Sequence, residues 1–159
     1  MALIDLPTAI AHLRLDADYP PEQVEPYLNA AEQSAAQFLN RAVFADQSAM
    51  DAAIAAVPAA LTAATTAHTD ALEAADEIED ATLRLAARNY ANDVYRAALN
   101  AATEVRYGVI FNDQIKVGML LILGHLFENR QDVQAGVSSV KIPMGSQYML
   151  MPYRVGLGV

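Results

Sequence analysis

The residues of this chain that most resemble a reactive group stand in the segment "LLILGHLFENRQDV", residues 120–133. His125 and Glu128 are three positions apart, so on a helix they share one face, as the ligands of a metal or catalytic site would. Carboxylate-bridged metal bundles use a Glu-x-x-His pair from each of two helices, together with further glutamates. Here the order is reversed and the pair occurs once, so we expect no metal site.

Other kinds of catalytic site lack their sequence signatures. The chain has no Cys, which excludes disulfides, zinc-thiolate sites and cysteine nucleophiles. No G-x-S-x-G turn occurs, and Ser138, Ser139 and Ser146 lie in no recognisable motif. Neither glycine-rich loop that cradles phosphates is present. We therefore predict that the protein is not an enzyme and binds no cofactor.

The polar block at 125–130 is better interpreted as an interaction surface. Arg130 suits the C-terminal end of a helix, where cations are favoured. Glu128 and Arg130 are two positions apart and face different directions, so we expect them to reach different partners. Those partners are other segments of the same chain, or neighbouring subunits if the protein assembles.

The charge of the chain is strongly acidic, with a net charge of -9 and a sequence pI near 4.6. Such a chain has no long-range attraction for a phosphate backbone, so we expect no specific nucleic-acid binding. Residues 46–105 hold ten acids and three arginines. This acidity suits a surface that DNA passes without sticking, but it equally keeps a protein soluble.

The periodicity of the apolar residues predicts an all-α fold. We predict helices near 6–15, 22–40, 81–106 and 113–133. The middle of the chain is rich in Ala, since 18 of the 32 Ala residues fall within 51–100. Its poorest stretch for helix formation is "TTAHTD", residues 65–70, which we predict to be a hinge between two helices. The expected architecture is a small helical bundle with an extended Ala-rich helical middle segment.

The predicted helices also suggest which side chains form the core. In the last of them, Leu120, Leu121, Leu123 and Phe127 are the expected core residues. In the middle segment, a continuous helical stripe follows the spacing i, i+4, i+7 and consists of Leu83, Ala87, Tyr90, Val94, Ala97, Ala101 and Val105. The expected apolar face of the second helix comprises Val24, Tyr27, Leu28, Ala31, Ala35, Phe38 and Leu39.

The last part of the chain, 136–159, is predicted to form an arm. "VSSVKIP", residues 137–143, could form a short strand, and Pro152 should end any helix and leave an extended tail. Arg154 offers a fork of donors suited to carboxylates or carbonyls. The arm either contacts another subunit or folds back onto its own helices. If it contacts another subunit, removing 152–159 should leave melting nearly unchanged.

No targeting or membrane-spanning segment is expected. The first residues lack a basic region before their apolar positions. The longest apolar run, 117–127, is shorter than the roughly 20 residues that a membrane span needs.

Four segments of the sequence stand in a recognisable order: "DLPTAIAHLRLD", "VEPYLNAAEQSAAQFLNR", "IKVGMLLILGHLFENRQDV" and "IPMGSQYMLMPYRVG". Together they resemble the tailed-phage head–tail connector (adaptor) family. The GHLFENR and MPYR elements make the combination specific, and the match covers about 1–44 and 112–155. The middle, about 46–106, is longer than in compact members of that family and is interpreted as a helical insertion in a single connector domain, 1–159.

The resemblance implies a virion protein, made in the host cytoplasm, that assembles a ring at the head–tail junction. The ring would be dodecameric, would bind the portal protein on one side and a tail-side connector or tail terminator on the other, and would continue the DNA channel without binding DNA specifically. It implies no catalysis and no membrane. The side chains then expected at subunit or portal contacts are Glu128, Arg130, Tyr148, Leu150, Pro152, Tyr153 and Arg154.

One alternative function is kept beside the ring. A small acidic helical protein could instead be a regulator that binds another protein and has no catalytic activity. Assembly into a ring with a portal or tail protein separates the two hypotheses, because the regulator would stay a 17.1 kDa monomer with no affinity for a portal.

Overall fold

A computed structural model describes residues 3–129 and 145–156 of the chain. The protein is mostly helical with a small two-stranded parallel sheet, which confirms the predicted all-α class. The chain divides into two compact units, unit 1 (residues 1–46 and 109–159) and unit 2 (residues 47–108). Unit 2 differs by one or two residues at each end from the predicted insertion at 46–106.

Unit 1 is built from helices on both sides of unit 2 in the sequence. Its elements are α1 (Leu6–His12), a 3-10 turn (Pro21–Gln23), α2 (Glu25–Leu39), β1 (Val43–Phe44), β2 (Val109–Ile110), α5 (Asp113–Glu128), α6 (Gly145–Leu150) and a second 3-10 turn (Met151–Tyr153). Unit 2 consists of α3 (Gln47–Asp76) and α4 (Ala81–Arg106).

The core of unit 1 forms where α2 packs against α5 and α6 packs against α5. The predicted face of α2 is confirmed, because its buried residues all belong to that face. On α5 the prediction is only partly right. Leu120 and Leu123 are buried, but Leu121 is 40% exposed. The fully buried residues Ile115 and Met119 are spaced with Leu123 at i, i+4, i+8, which turns Leu121 away from the core.

Phe127 is half-buried rather than fully buried. Its ring makes edge contacts with Tyr19 and Tyr27, at centroid distances of 6.2 and 5.6 Å. It packs at the border of the core, so deleting its ring leaves a smaller cavity than the loss of a central core residue would.

The ends of the helices in unit 1 follow their capping residues. The Asp5 carboxylate accepts a hydrogen bond from the Thr8 backbone N–H, which fixes the start of α1. Asn112 caps α5 in the same way. α1 ends earlier than predicted, at His12, because the backbone of Arg14 adopts a left-handed φ of 56°. Helix α5 ends at Glu128, and the predicted continuation over 130–133 lies outside the described residues.

The sheet joins the two ends of unit 1 that flank unit 2 in the sequence. β1 and β2 pair in parallel, with Val43 opposite Val109 and Phe44 opposite Ile110. The β-prone segment at 109–111 was recognisable from the sequence, whereas its partner was not. The strand predicted at 137–143 lies outside the described residues.

Unit 2 is a helical hairpin, and the hinge predicted at 65–70 is wrong. α3 is continuous from Gln47 to Asp76. The hydroxyls of Thr65, Thr66 and Thr69 donate to carbonyls four residues earlier in the same helix, so these Thr residues are accommodated within it. The chain reverses instead at 77–80, where the Asp80 carboxylate caps α4 by accepting from two backbone N–H groups.

The two helices of unit 2 meet along a seam of mostly small residues. The imidazole of His68 stacks on the Tyr95 ring with centroids 4.6 Å apart. Most of the helical stripe recognised in the sequence of α4 lies outside this seam, since Leu83, Tyr90 and Val94 are 61%, 72% and 50% exposed. The seam comprises Val57, Leu61, Ala64, His68, Leu72 and Ala75 on α3, and Ala87, Ala91, Tyr95, Ala98 and Ala102 on α4.

α3 is also long and apolar enough, by length and composition alone, to cross a membrane. Its most apolar 18-residue window has a mean hydropathy of 1.3, and 0% of that window is buried. Thr residues interrupt its apolar positions, so the longest continuous apolar run of the sequence lies elsewhere, at 117–127. The apolar character comes largely from Ala, which has little side-chain surface to bury.

Candidate functional site

The polar block at the end of α5 forms a helix terminus. The Asn129 backbone N–H and its side-chain Nδ2 both donate to the His125 carbonyl oxygen, at 3.0 and 2.9 Å. The same Nδ2 lies 3.2 Å from His125 Nδ1. His125 and Asn129 therefore satisfy the end of the helix together. Glu128 is exposed, and Arg130 lies outside the described residues.

No constellation for metal binding forms around this block. Across residues 3–129 and 145–156, no three His, Cys, Asp or Glu side chains come close enough together to hold a metal ion. Among the described residues, the side chain hydrogen-bonded to the His125 ring is the Asn129 amide, which caps the helix.

The described part of the C-terminal segment packs on its own unit. Leu150 is 1% exposed and lies against Gly118, leaving no room for a larger residue there. The Gln114 side chain donates from Nε2 to the Met149 carbonyl at 3.0 Å, and Tyr153 donates from its hydroxyl to Gln114 Oε1 at 3.3 Å. The core of unit 1 therefore accounts for Leu150 without a second subunit.

The residues after Pro152 continue along α2. The Arg154 guanidinium lies over the Phe38 ring, 5.0 Å from its centroid. The Val155 N–H donates to the Leu39 carbonyl at 3.1 Å. The chain is extended from Arg154, as Pro152 predicted. Residues 145–156 therefore fold back onto helices of their own chain, which is one of the two interpretations left open for the arm. Removing 152–159 would break these contacts, so we no longer expect unchanged melting.

Part of this segment nevertheless remains exposed. Tyr148 is 79% exposed and Met151 is 45% exposed, and Pro152 is exposed as well. We call these three residues the tail surface. Tyr148 and Pro152 were predicted as contact residues from the sequence, whereas Met151 was not.

Arg154 has one donor that no described residue uses. Its Nε is buried and has no hydrogen-bond partner among the described residues. No carboxylate of residues 3–129 or 145–156 forms an ion pair with the guanidinium, since the two ion pairs there are Arg88–Asp76 and Arg96–Asp93. The buried Nε is out of reach of a second chain, so a partner's carboxylate or carbonyl would have to bind the terminal nitrogens of the guanidinium.

A cleft of about 440 Å³ lies beside α1 in unit 1. Asp18 is its only carboxylate, and Tyr19 is the only other lining residue with a polar group on its side chain. A lone carboxylate with no base or nucleophile beside it is not a catalytic arrangement. The lining residues are Leu6, Pro7, Ile10, Ala11, Leu15, Ala17, Asp18, Tyr19 and Pro21.

Comparison of the chain with models of protein families, with curated proteins and with solved structures found no match.

Proposed function

We propose that this chain is a structural virion protein that assembles a ring beneath the portal of a tailed phage. The ring, a dodecamer to match the portal, connects the head to the tail and continues the DNA channel. The protein carries out no catalysis in this role. Its partners are further copies of itself, the portal protein and a tail-side connector or tail terminator.

One observation carries the proposal. The four segments that resemble head–tail connectors are separated by about 70 residues in the middle of the chain, yet their described parts fold into the same unit. "DLPTAIAHLRLD" supplies α1, "VEPYLNAAEQSAAQFLNR" supplies α2, and the two later segments supply α5 and α6. The part of the chain that departs from the family pattern is the hairpin, unit 2. Next to the hairpin, the resembling regions end about two or three residues from the boundaries of unit 1 at 46 and 109.

Surface chemistry supports an assembly role for unit 1. The tail surface offers exposed apolar side chains, which interfaces bury at their centre. The Arg154 side chain beside it is half-buried and forms no ion pair within the described residues, and Glu128 is exposed at the end of α5. We assign Tyr148, Met151 and Pro152 to subunit or portal contacts, with Arg154 pairing with a partner's carboxylate or carbonyl. The net charge of -9 is compatible with a channel that DNA passes without binding.

The test is the mass of the protein alone and mixed with the portal ring of the same virus. The expected result is a complex whose mass corresponds to twelve chains per portal dodecamer. Tyr148→Glu should abolish that complex, because it places a charge on an apolar contact. Leu85→Glu is the control, since Leu85 is also largely exposed, 61% against 79% for Tyr148, but lies in unit 2. A protein with no affinity for the portal would refute the proposal and favour the regulator.

A further inference from the structure

α4 of the hairpin carries a second apolar stripe that α3 does not cover. Leu83, Tyr90 and Val94 are exposed by 61%, 72% and 50%, although they follow the spacing of a buried helix face. With about 100° of rotation per residue, this stripe lies about a quarter turn from the seam. Large apolar side chains in such a row indicate a surface that something covers.

α3 carries a row of small residues on the corresponding side of its own helix. These residues also lie about a quarter turn from the seam, and all of them are exposed. The row contains no charged and no large side chain. It consists of Ala56, Ala60, Ala63, Ala67, Ala71 and Ala74.

Two polar contacts show that both rows lie on the same side of the hairpin. The Arg88 guanidinium pairs with the Asp76 carboxylate at 3.2 Å, and His68 Nε2 lies 2.9 Å from Asn92 Oδ1. Arg88, Asn92 and Asp76 mark one flank of the seam. The Ala row of α3 and the Leu83–Tyr90–Val94 row of α4 each lie opposite these residues on their own helix. Together they form one largely apolar surface, which we call the apolar face and which Asp70 borders between Ala67 and Ala74.

The apolar face is about as large as one side of a small protein interface. The Ala row runs from Ala56 to Ala74, which is about 28 Å of helix. Two helices side by side are about 20 Å wide, which gives a surface of roughly 560 Å². The smaller specific interfaces bury about 600 Å² on each partner.

We propose that the apolar face binds the apolar face of a second copy of this chain. The reason is self-complementarity, since one helix supplies bulky residues and the other supplies only Ala. A two-fold axis parallel to the helices places α4 of each copy over α3 of the other, with neighbouring helices antiparallel. His68 is level with Tyr95 in the hairpin, so Tyr90 is level with Ala71 and Ala74. Tyr90 of one copy then fills the space above those two Ala residues of the other.

The proposed dimer does not depend on the proposed function. Its stability should depend on salt concentration in a way that the charge of the hairpin predicts. Residues 46–105 hold ten acids and three arginines, so two hairpins repel each other at a distance. Salt screens this repulsion and leaves the apolar contact intact. Dimerisation should therefore strengthen as the salt concentration rises, whereas an interface made by ion pairs would weaken.

The experiment compares two leucines on opposite flanks of α4. Leu83 lies on the apolar face and Leu85 on the other flank, and both are 61% exposed. Sedimentation equilibrium is carried out on the full chain carrying Tyr148→Glu, which removes ring assembly if the proposed function holds. The parent should form a dimer of 17.1 kDa chains. Leu83→Glu should raise its Kd at least about 10-fold, and Leu85→Glu less than about 3-fold. Circular dichroism checks that helix content is unchanged.

Single cysteines test the geometry in an assembly of any size, because the natural chain has no Cys. A mixture of Tyr90→Cys and Ala71→Cys chains should cross-link to a mixed dimer in higher yield than a mixture of Leu85→Cys and Ala71→Cys chains. A parent that stays monomeric, equal weakening by the two Glu variants, or equal cross-linking in the two mixtures would overturn the proposal. So would a monomer that co-sediments with phosphatidylcholine vesicles through Leu83, because lipid would then be the occupant.

Discussion

The two units of this protein use their apolar residues in opposite ways. In unit 1, large side chains such as Leu39, Ile115 and Leu123 are 0% exposed. In unit 2, only Ala75 and Ala91 are buried, while larger residues such as Tyr90 point outward. Burial of a large aliphatic side chain contributes about 1.5–3 kcal/mol, whereas burial of Ala contributes much less. Unit 1 therefore has a core of its own, and the hairpin has only a narrow seam.

This difference explains why the two units suit different roles. A unit with a packed core holds its surface residues in fixed positions, as the repeated contact of the proposed ring would require. A hairpin with a seam of mostly small residues leaves large apolar groups exposed for another surface. The predictions below test how far the contrast between core and seam extends, beginning with the largest expected effect.

Loss of a core leucine in unit 1 should be the most damaging change. Leu123→Ala should lower the free energy of unfolding by about 2–5 kcal/mol, because it opens a cavity in a packed core. Leu85→Ala in unit 2, where the side chain is 61% exposed, should change it by less than about 0.5 kcal/mol. Phe127→Ala should fall between them because its ring is half-buried. Urea unfolding measures all three, and equal effects would contradict the contrast between the units.

Enlarging an Ala of the seam should separate the hairpin helices. Ala91 is 4% exposed, so Ala91→Leu should destabilise unit 2 by about 1–3 kcal/mol through overpacking. Ala97→Leu is the matched control on the same helix, since Ala97 is exposed and was part of the stripe predicted from the sequence. Denaturation followed by circular dichroism compares them. If Ala97→Leu proved the more harmful, the seam would lie along the stripe predicted from the sequence.

Two glycines of α5 should respond differently to the same substitution. A Cβ at Gly118 would lie 2.8 Å from Leu150 Cγ, whereas at Gly124 the nearest atom is His12 Nε2 at 3.8 Å. Gly124→Ala should stabilise the protein by about 0.5–1 kcal/mol through helix propensity. Gly118→Ala should destabilise it by about 1 kcal/mol because Leu150 is held within the core. Melting temperatures that rise in both variants would show that α6 packs loosely on α5.

The smallest expected effect is the pH response of the α1 cap. Hydrogen bonds from the Thr8 backbone N–H and side chain lower the pKa of the Asp5 carboxyl below its ordinary value of 3.8. Because the folded pKa is the lower one, the stability that this group adds is present above pH 3.8 and is lost as the pH falls through the folded pKa. NMR titration should give Asp5 a midpoint below 3.8. Asp5→Asn should keep the cap and lose this pH dependence.

Local signals in the sequence determined the helical class and most helix boundaries. Asp80 before "ATLRL" and Asn112 before "DQIKV" are capping residues, and both helices begin where these residues place them. The buried face of α2 also followed from periodicity, because a helix with a single apolar face can bury only that face. The absence of Cys and of catalytic motifs was likewise a property of the sequence alone.

Only the tertiary structure decided which of several apolar faces is buried. α4 is apolar on more than one side, and the close approach that Ala allows selected the Ala91 side over the Tyr90 side. By propensity, the Thr residues at 65–69 predict a weak helix. Their hydroxyls form hydrogen bonds within α3, however, and His68 among them packs against Tyr95 of α4. The local sequence likewise could not determine where the C-terminal segment packs, because it fits either a free arm or a fold-back onto the same chain. The contacts of Leu150 with Gly118 and of Val155 with Leu39 decide it, and both join residues that are far apart in the chain.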